Sequence, residues 1–597
     1  MPRHASGKER IERIIAKQKN GDRYVYERKS RYNPEKKYYV SVCSKLIGKM
    51  KQGSDDKYDL LPTRPKADSK RTIYSENKSV LDSNLTFRAR TGMMDIVRFI
   101  SEKSGVTSEL IKAIPDDEGL RKKTETLAWY NFSTDGATWP GVKAWSVRYI
   151  GLLPYTFNPI SQDMYHEVFY TIGLNESIKQ IVFANRAAAL TDGDLVALDS
   201  STTVTVSVRN QVGRKGVHKD GVIRKLYKVV YIYSIDLRKP IAYAILPGNI
   251  PDSLTVSNAI KQIKAITDKK IQLVEDAGYC NEETIAIMLK ENQSFLTRIP
   301  ADTKWINELV EKHRETIEHG GEFIKCDAKF SGVCDQVTRV FSAKKKKGQE
   351  PFDIEGTLNV FIYFSSVNKS KDDVEFRTTF QSYSEDLISE KSLCDDRKKI
   401  EDFANKYMNI VRDNNGKITS ISVKTKEYDK KLKYSGYLVL ISNSETDTNN
   451  ALLKFRIREY IEELVKNHKS HGEGDSGRVW DNITLDGKVF VDFLGITLHE
   501  TFESKIRSIK NRLALVTGDA EHDTTEVLKQ ERKLKNWLER TSLHNILKWF
   551  DTVEYVNVAG LNEAVKWTTE CTERDRMFIE QLGMNSDDFG MISNETE

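Results

Sequence analysis

What this chain lacks narrows it first. Its 597 residues hold only 6 cysteines (Cys43, Cys280, Cys326, Cys334, Cys394 and Cys571), scattered, with no Cys-x-x-Cys pair and no histidines at matching spacing. That argues against a structural zinc site and a disulfide framework, and it fits a reducing compartment. The start, MPRHASGKERIERII, has no apolar stretch long enough for a secretion signal. Nowhere do about 18 apolar residues follow one another, so no membrane span is expected and the cytoplasm is the expected location. A large charge of one sign is also missing: the net is +6, with 39% hydrophobic and 30% charged residues, the composition of a soluble globular protein. That small net charge is unevenly placed. Residues 1–70 carry 19 Lys and Arg against 9 Asp and Glu, a net of +10, which leaves −4 for the rest. A basic arm on a mildly acidic body points to a polyanion, usually nucleic acid, with a solubilising tail as the plain alternative.

At roughly 150 residues per domain the length suggests several domains. Residues 1–22 read as a short basic helix or an unstructured arm. Tyr24 to Lys49 alternates aromatic or β-branched residues with cations and reads as a small β unit, with Lys45 to Gly53 as its exit turn. A polar linker with Pro62 and Pro65 follows. Residues 86–190 read as helical, because Met93, Ile96, Val97 and Ile100, and then Leu110, Ile111 and Ile114, keep a 3.6 period. Trp139 and Trp145 are expected in that region's core.

The pattern then changes. Leu195–Asp199, Tyr227–Asp236, Pro240–Gly248, Lys270–Asp276 and Ser294–Ile299 read as strands, with helices after Asp252 or Ser253 (the expected N-cap) and over Glu282–Lys290. That order predicts a mixed α/β layer with a partly antiparallel sheet. Strand-like runs at Leu358–Val367, Ile418–Thr425 and Tyr437–Ser442 predict a β-rich insertion of domain size. Two apolar helical patterns close the chain. One carries Phe490, Phe493, Leu494 and Leu498; the other opens at Asp523 to Glu526 as a capping box and carries Val527, Leu534, Trp537 and Leu538. The expected division is 1–85, 86–190, 191–300, 301–450, 451–515 and 516–597.

The chemistry concentrates on the helical run Leu453–Ser470. At about 100° per residue, Phe455, Arg458, Glu462 and Lys469 fall on one narrow stripe, whereas Glu459 and Glu463 lie away from it. Ile457, Ile461 and Leu464 occupy an adjoining sector, the expected core face. A solvated charged helix is the plain reading of such a run. Upstream, Asp199 and Asp276 each close an apolar strand, and side chains at the carboxyl ends of neighbouring strands converge on one crevice. Three carboxylates drawn together repel one another unless a cation is present, and oxygen-rich sites favour Mg²⁺ or Mn²⁺. Arg209 to Lys228, with seven Lys and Arg and one Asp, adds a phosphate-contact candidate in Arg214, Lys215, Lys219, Arg224 and Lys225; an exposed basic loop explains it equally.

These residues resemble a known family. Phe455, Arg458, Glu462 and Lys469 match the Tyr-x2-Arg-x3-Glu-x6-Lys signature of bacterial insertion-sequence DDE transposases of the insertion-sequence-four group; only Phe455 differs, which removes a hydroxyl. LVALDSSTT and LVEDAGYCNEETIAIMLKENQSFLTRI resemble that family's first and second Asp blocks, and PGNIPDSLT resembles its turn before the first helix. The resemblance implies an RNase H-like catalytic core interrupted by a β-rich insertion, flanked by DNA-binding and helical regions. It implies that Asp199, Asp276 and Glu462 hold two Mg²⁺ ions, replaceable by Mn²⁺, and that Phe455, Arg458 and Lys469 contact DNA. It further implies cut-and-paste cleavage at terminal inverted repeats, strand transfer into target DNA, a homodimer on double-stranded DNA, and a place at the bacterial nucleoid. An intermediate DNA hairpin would call on aromatics of the insertion, Trp305 or Tyr434. Rival readings are a catalytically silent DNA-binding descendant and a stand-alone RNase H-like nuclease.

Overall fold

The computed structural model describes residues 9–17, 22–33, 38–51, 55–58, 60, 87–134, 138–218, 222–319, 324–325, 327–344, 350–388, 397–413, 416–458, 476–477, 479, 481–518, 526–558, 565–569 and 571–592. The chain forms two compact units, Met1–Ser83 and Asn84–Glu597.

In the first unit β1 (Glu9–Lys17), β2 (Arg23–Asn33) and β3 (Tyr38–Lys49) make an antiparallel meander. The basic helix expected before residue 22 is therefore a strand. β1 pairs along its whole length, from Glu9 opposite Arg31 to Lys17 opposite Arg23, and Glu12 holds Arg28 across the ladder at 2.5 Å. Such cross-strand pairs favour the extended form over a helix. Lys45, expected in the exit turn, lies within β3 opposite Glu27.

The second unit opens with β4 (Phe87–Arg90) and six helices: α1 (Gly92–Ser104), α2 (Val106–Ala113), α3 (Glu118–Ser133), α4 (Val142–Arg148), α5 (Gln162–Leu174) and α6 (Glu176–Ala187). The 3.6-period residues Met93, Ile96, Val97 and Ile100 are all buried, as is Trp145, and half-buried Trp139 packs on Phe169.

A sheet with flanking helices follows. Its elements are β5 (Leu195–Thr205), β6 (Arg214–Val217), β7 (Ile223–Ser234), β8 (Lys239–Pro247), α7 (Val256–Ile266), β9 (Gln272–Glu275), α8 (Glu282–Lys290), β10 (Ser294–Ile299), α9 (Lys304–Glu318), β11 (Ser331–Ala343) and β12 (Phe352–Phe364). Next come α10 (Ser366–Ile388), α11 (Arg397–Tyr407), β13 (Met408–Arg412), β14 (Ile418–Val423), α12 (Thr425–Leu432), β15 (Tyr437–Ser442), α13 (448–458) and β16 (Ser476–Gly477). The 37-residue α14 (Asn482–Gly518), then α15 (Glu526–Arg540), α16 (Leu543–Phe550), β17 (Glu554–Val558), β18 (Val565–Thr568) and α17 (Glu573–Leu582) complete the chain.

The main sheet has ten strands, ordered β11-β12-β15-β10-β9-β5-β7, with β6 and β8 on β7 and β16 on β5. β5, β9 and β10 are parallel; β7, β8 and β15 join antiparallel. The protein is thus mixed α/β, as the sequence predicts. The insertion differs from expectation: β12 and β15 continue the sheet beyond β10, and only α10 to α12 with the β13–β14 hairpin stand outside it. The run LNVFIYF is why, since Val360, Phe361, Ile362 and Tyr363 are buried on both faces of the strand and need cover on each.

Helix α14 is the unit's central rod. Phe490, Phe493, Leu494 and Leu498 are fully buried, and α5 crosses it where Gly173 and Gly487 face each other, each so close that a Cβ would overlap the other helix's backbone. Arg186 of α6 locks this layer: it donates to both Glu109 carboxylate oxygens, to Pro240 O (2.7 Å) and to Thr497 Oγ1 (2.9 Å), with its guanidinium 4.3 Å from the Phe493 ring centre.

Burial also pushes the Glu500 carboxyl of α14 up to about 7. The unfolded chain releases that proton near the ordinary carboxyl value, so between about pH 4.5 and 7 the folded protein keeps a proton that the unfolded one has lost. Stability attributable to this group therefore falls as pH rises through that window. Glu500→Gln is expected to remove the fall and to stabilise the protein at pH 8 by roughly 3 kcal/mol, read from urea midpoints at pH 5 and 8. Equal midpoints for variant and wild type at pH 8 would refute it.

Candidate active site

The site grows from one register. β5 and β9 pair in parallel with Leu195 opposite Gln272, Val196 opposite Leu273 and Ala197 opposite Val274. Two places on, Asp199 stands level with Asp276, which keeps an extended backbone just past β9. Adjacent strands lie about 4.8 Å apart, and alternate residues share a face. Asp199 therefore follows Leu195 and Ala197, and Asp276 follows Val274, on the face where Leu195, Ala197 and Val274 form one apolar cluster with Ala451, Leu452 and Phe455 of α13. Asp199 does not close its strand, as the sequence led us to expect; β5 runs on to Thr205.

Helix α13 is fastened along β9. Lys454 Nζ donates to Gln272 Oε1 at the strand's start (3.0 Å) and to Glu445 Oε2 (2.6 Å). Arg456 pairs with Asp327, and the Arg458 guanidinium comes within 3.9 Å of Asp276 at the strand's end. The core face differs from the one expected. Ile457 is 45% exposed, whereas the stripe residues Phe455 and Arg458 are buried, because the helix turns its Ala451, Leu452, Phe455 side to the sheet. Phe455 is thus a packing residue beneath Arg458 (5.1 Å from ring centre to guanidinium), not a DNA contact, and Arg458 is turned to Asp276 rather than to solvent.

Glu462 and Lys469 lie outside the described residues, as does Lys219. The described residues on either side of the 459–475 segment both touch this strand pair: Arg458 at Asp276, and Ser476 opposite Val204 on β5. Among the described residues no group of three or more His, Cys, Asp or Glu is placed to hold a metal. Arg214 and Lys215 are exposed on β6, Arg224 is half-buried on β7, and Lys225 Nζ donates to Ser207 O (2.8 Å). Trp305 and Tyr434 are half-buried against the core; the Arg339 guanidinium lies 5.0 Å from the Trp305 ring centre, and Tyr434 is hydrogen-bonded to Asn307.

The sequence reading missed one group. Asp252, expected to cap a helix, instead accepts from Ser200 Oγ (2.7 Å) and from Lys228 Nζ, which also donates to Ile250 O (2.8 Å). α7 starts from Thr255, which makes no side-chain cap. The turn that carries Asp252 reaches this position because Gly248 lies against the Leu226 backbone, where a Cβ would collide. Tyr279, three residues past Asp276, is buried: that burial and then the charges of Asp199 and Asp252 hold its phenol well above the ordinary value. Glu275, on the opposite face from Asp276, is fully buried without a hydrogen-bond partner among the described residues, and its pKa is raised to about 8 by that burial. Among the described residues no helix is long and apolar enough to cross a membrane.

No protein-family model and no curated protein matches this chain. Among solved structures it is similar to a piggyBac transposase synaptic complex with hairpin DNA, seen by cryo-EM, at 8% identity and a TM-score of 0.30, over 76% of this chain and 81% of that one. At that score the likeness decides nothing about activity.

Proposed function

We propose that the protein is a DDE transposase that cuts DNA at the terminal repeats of a mobile element and joins the freed ends to target DNA. The observation that carries this reading is the parallel register of β5 and β9, which, continued by two residues, sets Asp199 level with Asp276, together with α13, which brings Arg458 to within 3.9 Å of Asp276. The strand order β8-β7-β5-β9-β10, with the first three antiparallel and the last two parallel to β5, supports an RNase H-like core. Glu462 follows Arg458 by four residues in the sequence, the spacing of the insertion-sequence-four signature.

The residues fit a divalent cation. Asp276 Oδ1 is buried and accepts no hydrogen bond from the described residues; the Arg458 guanidinium stands 3.9 Å from it, beyond hydrogen-bond reach, so its lone pairs are left for a metal ion. Asp199, Asp276 and Glu462 would hold two Mg²⁺ ions, with Mn²⁺ able to substitute; when bound, such a pair activates the attacking oxygen and stabilises the leaving one. Arg458 holds the Asp276 carboxylate in place. Lys228 and Asp252 fix the segment of β5 that follows Asp199. Lys469, Arg214, Lys215, Lys219, Arg224 and Lys225 bind phosphates of double-stranded DNA. The acting form is a homodimer on DNA at the bacterial nucleoid in the cytoplasm.

The test compares wild type with Glu462→Gln on labelled DNA bearing the repeats that flank the gene, in Mg²⁺, in Mn²⁺ and in chelator. End-specific, metal-dependent cleavage is expected from wild type, with binding retained and cleavage lost in the variant. Binding without cleavage by either protein would sink the transposase reading in favour of a silent DNA-binding descendant. Cleavage indifferent to end sequence and without strand joining would favour a nuclease.

A further inference from the structure

The strand that carries Asp199 leads directly into an unusual loop. After Thr205, residues 206–213 turn back into β6, and Val206 is 78% and Val208 93% exposed. The loop is nonetheless fixed from four sides. Ser207 N donates to Thr205 Oγ1 (3.3 Å), and Lys225 Nζ donates to Ser207 O (2.8 Å). Fully buried Asn210 accepts from Val212 N (3.1 Å) and Gly213 N (3.0 Å), and Asn482 at the start of α14 accepts from Gln211 N (2.8 Å). A fixed loop that holds two valines in water is not explained by folding, since burial of such side chains is what folding ordinarily gains. The adjoining β6–β7 ladder adds a second exposed apolar pair, Val217 opposite Ile223, each 68% exposed.

The surroundings select the partner. Exposed Arg209, Arg214 and Lys215 stand in the same stretch, with Arg224 on the facing strand. The core of a protein–protein interface is depleted of charge, whereas apolar wedges flanked by cations are how proteins unstack and bend duplex DNA. We propose that the 206–213 loop and the β6–β7 ladder form a DNA-deforming arm: the cations grip the backbone of duplex flanking the cleaved phosphodiester, and Val206 and Val208 press between its base pairs. This rests on the transposase reading for its substrate and adds to it a second, non-catalytic contact. At about 3.3 Å per residue the valines lie at most roughly 20–30 Å from Asp199, so the unstacked step falls within about nine base pairs of the cleaved bond.

The probe is a duplex of the repeat that flanks the gene, with 2-aminopurine placed singly along it, bound by full-length protein in chelator so that no cleavage intervenes. Wild type is expected to raise the fluorescence at one position by about threefold or more, as unstacking does. Val206→Ala/Val208→Ala is expected to abolish that rise while keeping affinity within about threefold, because the phosphate contacts remain. The valines are exposed, so melting temperature should not change; Arg214→Ala/Lys215→Ala serves as the contrast, weakening binding by roughly tenfold with a shallower salt dependence. Flat fluorescence along the whole scan with wild type bound would overturn the proposal, and so would a rise that survives in the double variant. Conversion of a free dimer to monomer by Val206→Asp/Val208→Asp would overturn it too, by assigning the valines to self-association. Normal unstacking by a protein that never cleaves in Mg²⁺ would instead fail the transposase reading and leave the arm standing.

Discussion

Asp276→Asn is expected to lower end cleavage by roughly a thousandfold or more while leaving DNA affinity nearly unchanged. Asp276 lies beside buried Arg458 and, by the continued β5–β9 register, level with Asp199; none of these three is one of the exposed cations that would bear the DNA backbone. The substitution keeps the side chain's volume and its extended backbone, so the sheet and α13 stay in place. A readout free of catalysis separates this from a general loss of structure. Ligands that bind only the folded state raise its melting temperature by mass action. Millimolar Mg²⁺ is therefore expected to stabilise wild type and to lose that effect in Asp276→Asn, although the variant folds. An equal Mg²⁺ shift in both proteins would show that Asp276 holds no cation.

The second large effect concerns stability. Arg186 and Glu109 are both buried, and Arg186→Ala leaves the Glu109 carboxylate inside the fold with Lys239, 3.6 Å away, as its remaining cation. Removing one partner of a buried ion pair costs about 3–5 kcal/mol, chiefly because the other charge is stranded. The same change takes donors from Pro240 O and Thr497 Oγ1, so α2, β8 and α14 loosen together. The expected result is a urea midpoint shifted down by that amount, with Arg186→Met/Glu109→Leu recovering much of it because no carboxylate is stranded inside the fold and Lys239, which loses its partner, is only half-buried. A double variant as unstable as the single one would mean that the backbone and Thr497 contacts, rather than the ion pair, dominate.

The helical region before the sheet was legible because its apolar residues kept one period over whole turns. The strands that lead to Asp199 and Asp276 were legible because each is a short apolar run with the β-branched character of a buried strand. What the sequence could not tell was decided by distant pairing. Residues 1–22 read as a basic helix or an arm, yet β2 pairs with β1 and brings Arg28 opposite Glu12. Asp252 has the local look of a helix cap, but Ser200 and Lys228 arrive from strands far away in the chain and claim its carboxylate. The buried face of α13 was misassigned because the wheel weighed Ile457 as core, whereas Arg458 is buried for the sake of a carboxylate. The insertion was misjudged for a related reason: nothing local distinguishes a strand that starts a new sheet from one that extends an old sheet.

The pairing of β15 on the outer edge of β10 has a consequence during synthesis. Leu296–Ile299 must wait for Val439–Ser442, roughly 140 residues later, which at about 5–20 residues per second is an interval on the order of 10–30 s. Until then the outer edge of β10 has no partner strand. Arg298, exposed in the finished fold, is the charged residue of that strand, the kind of side chain that disfavours edge-to-edge pairing.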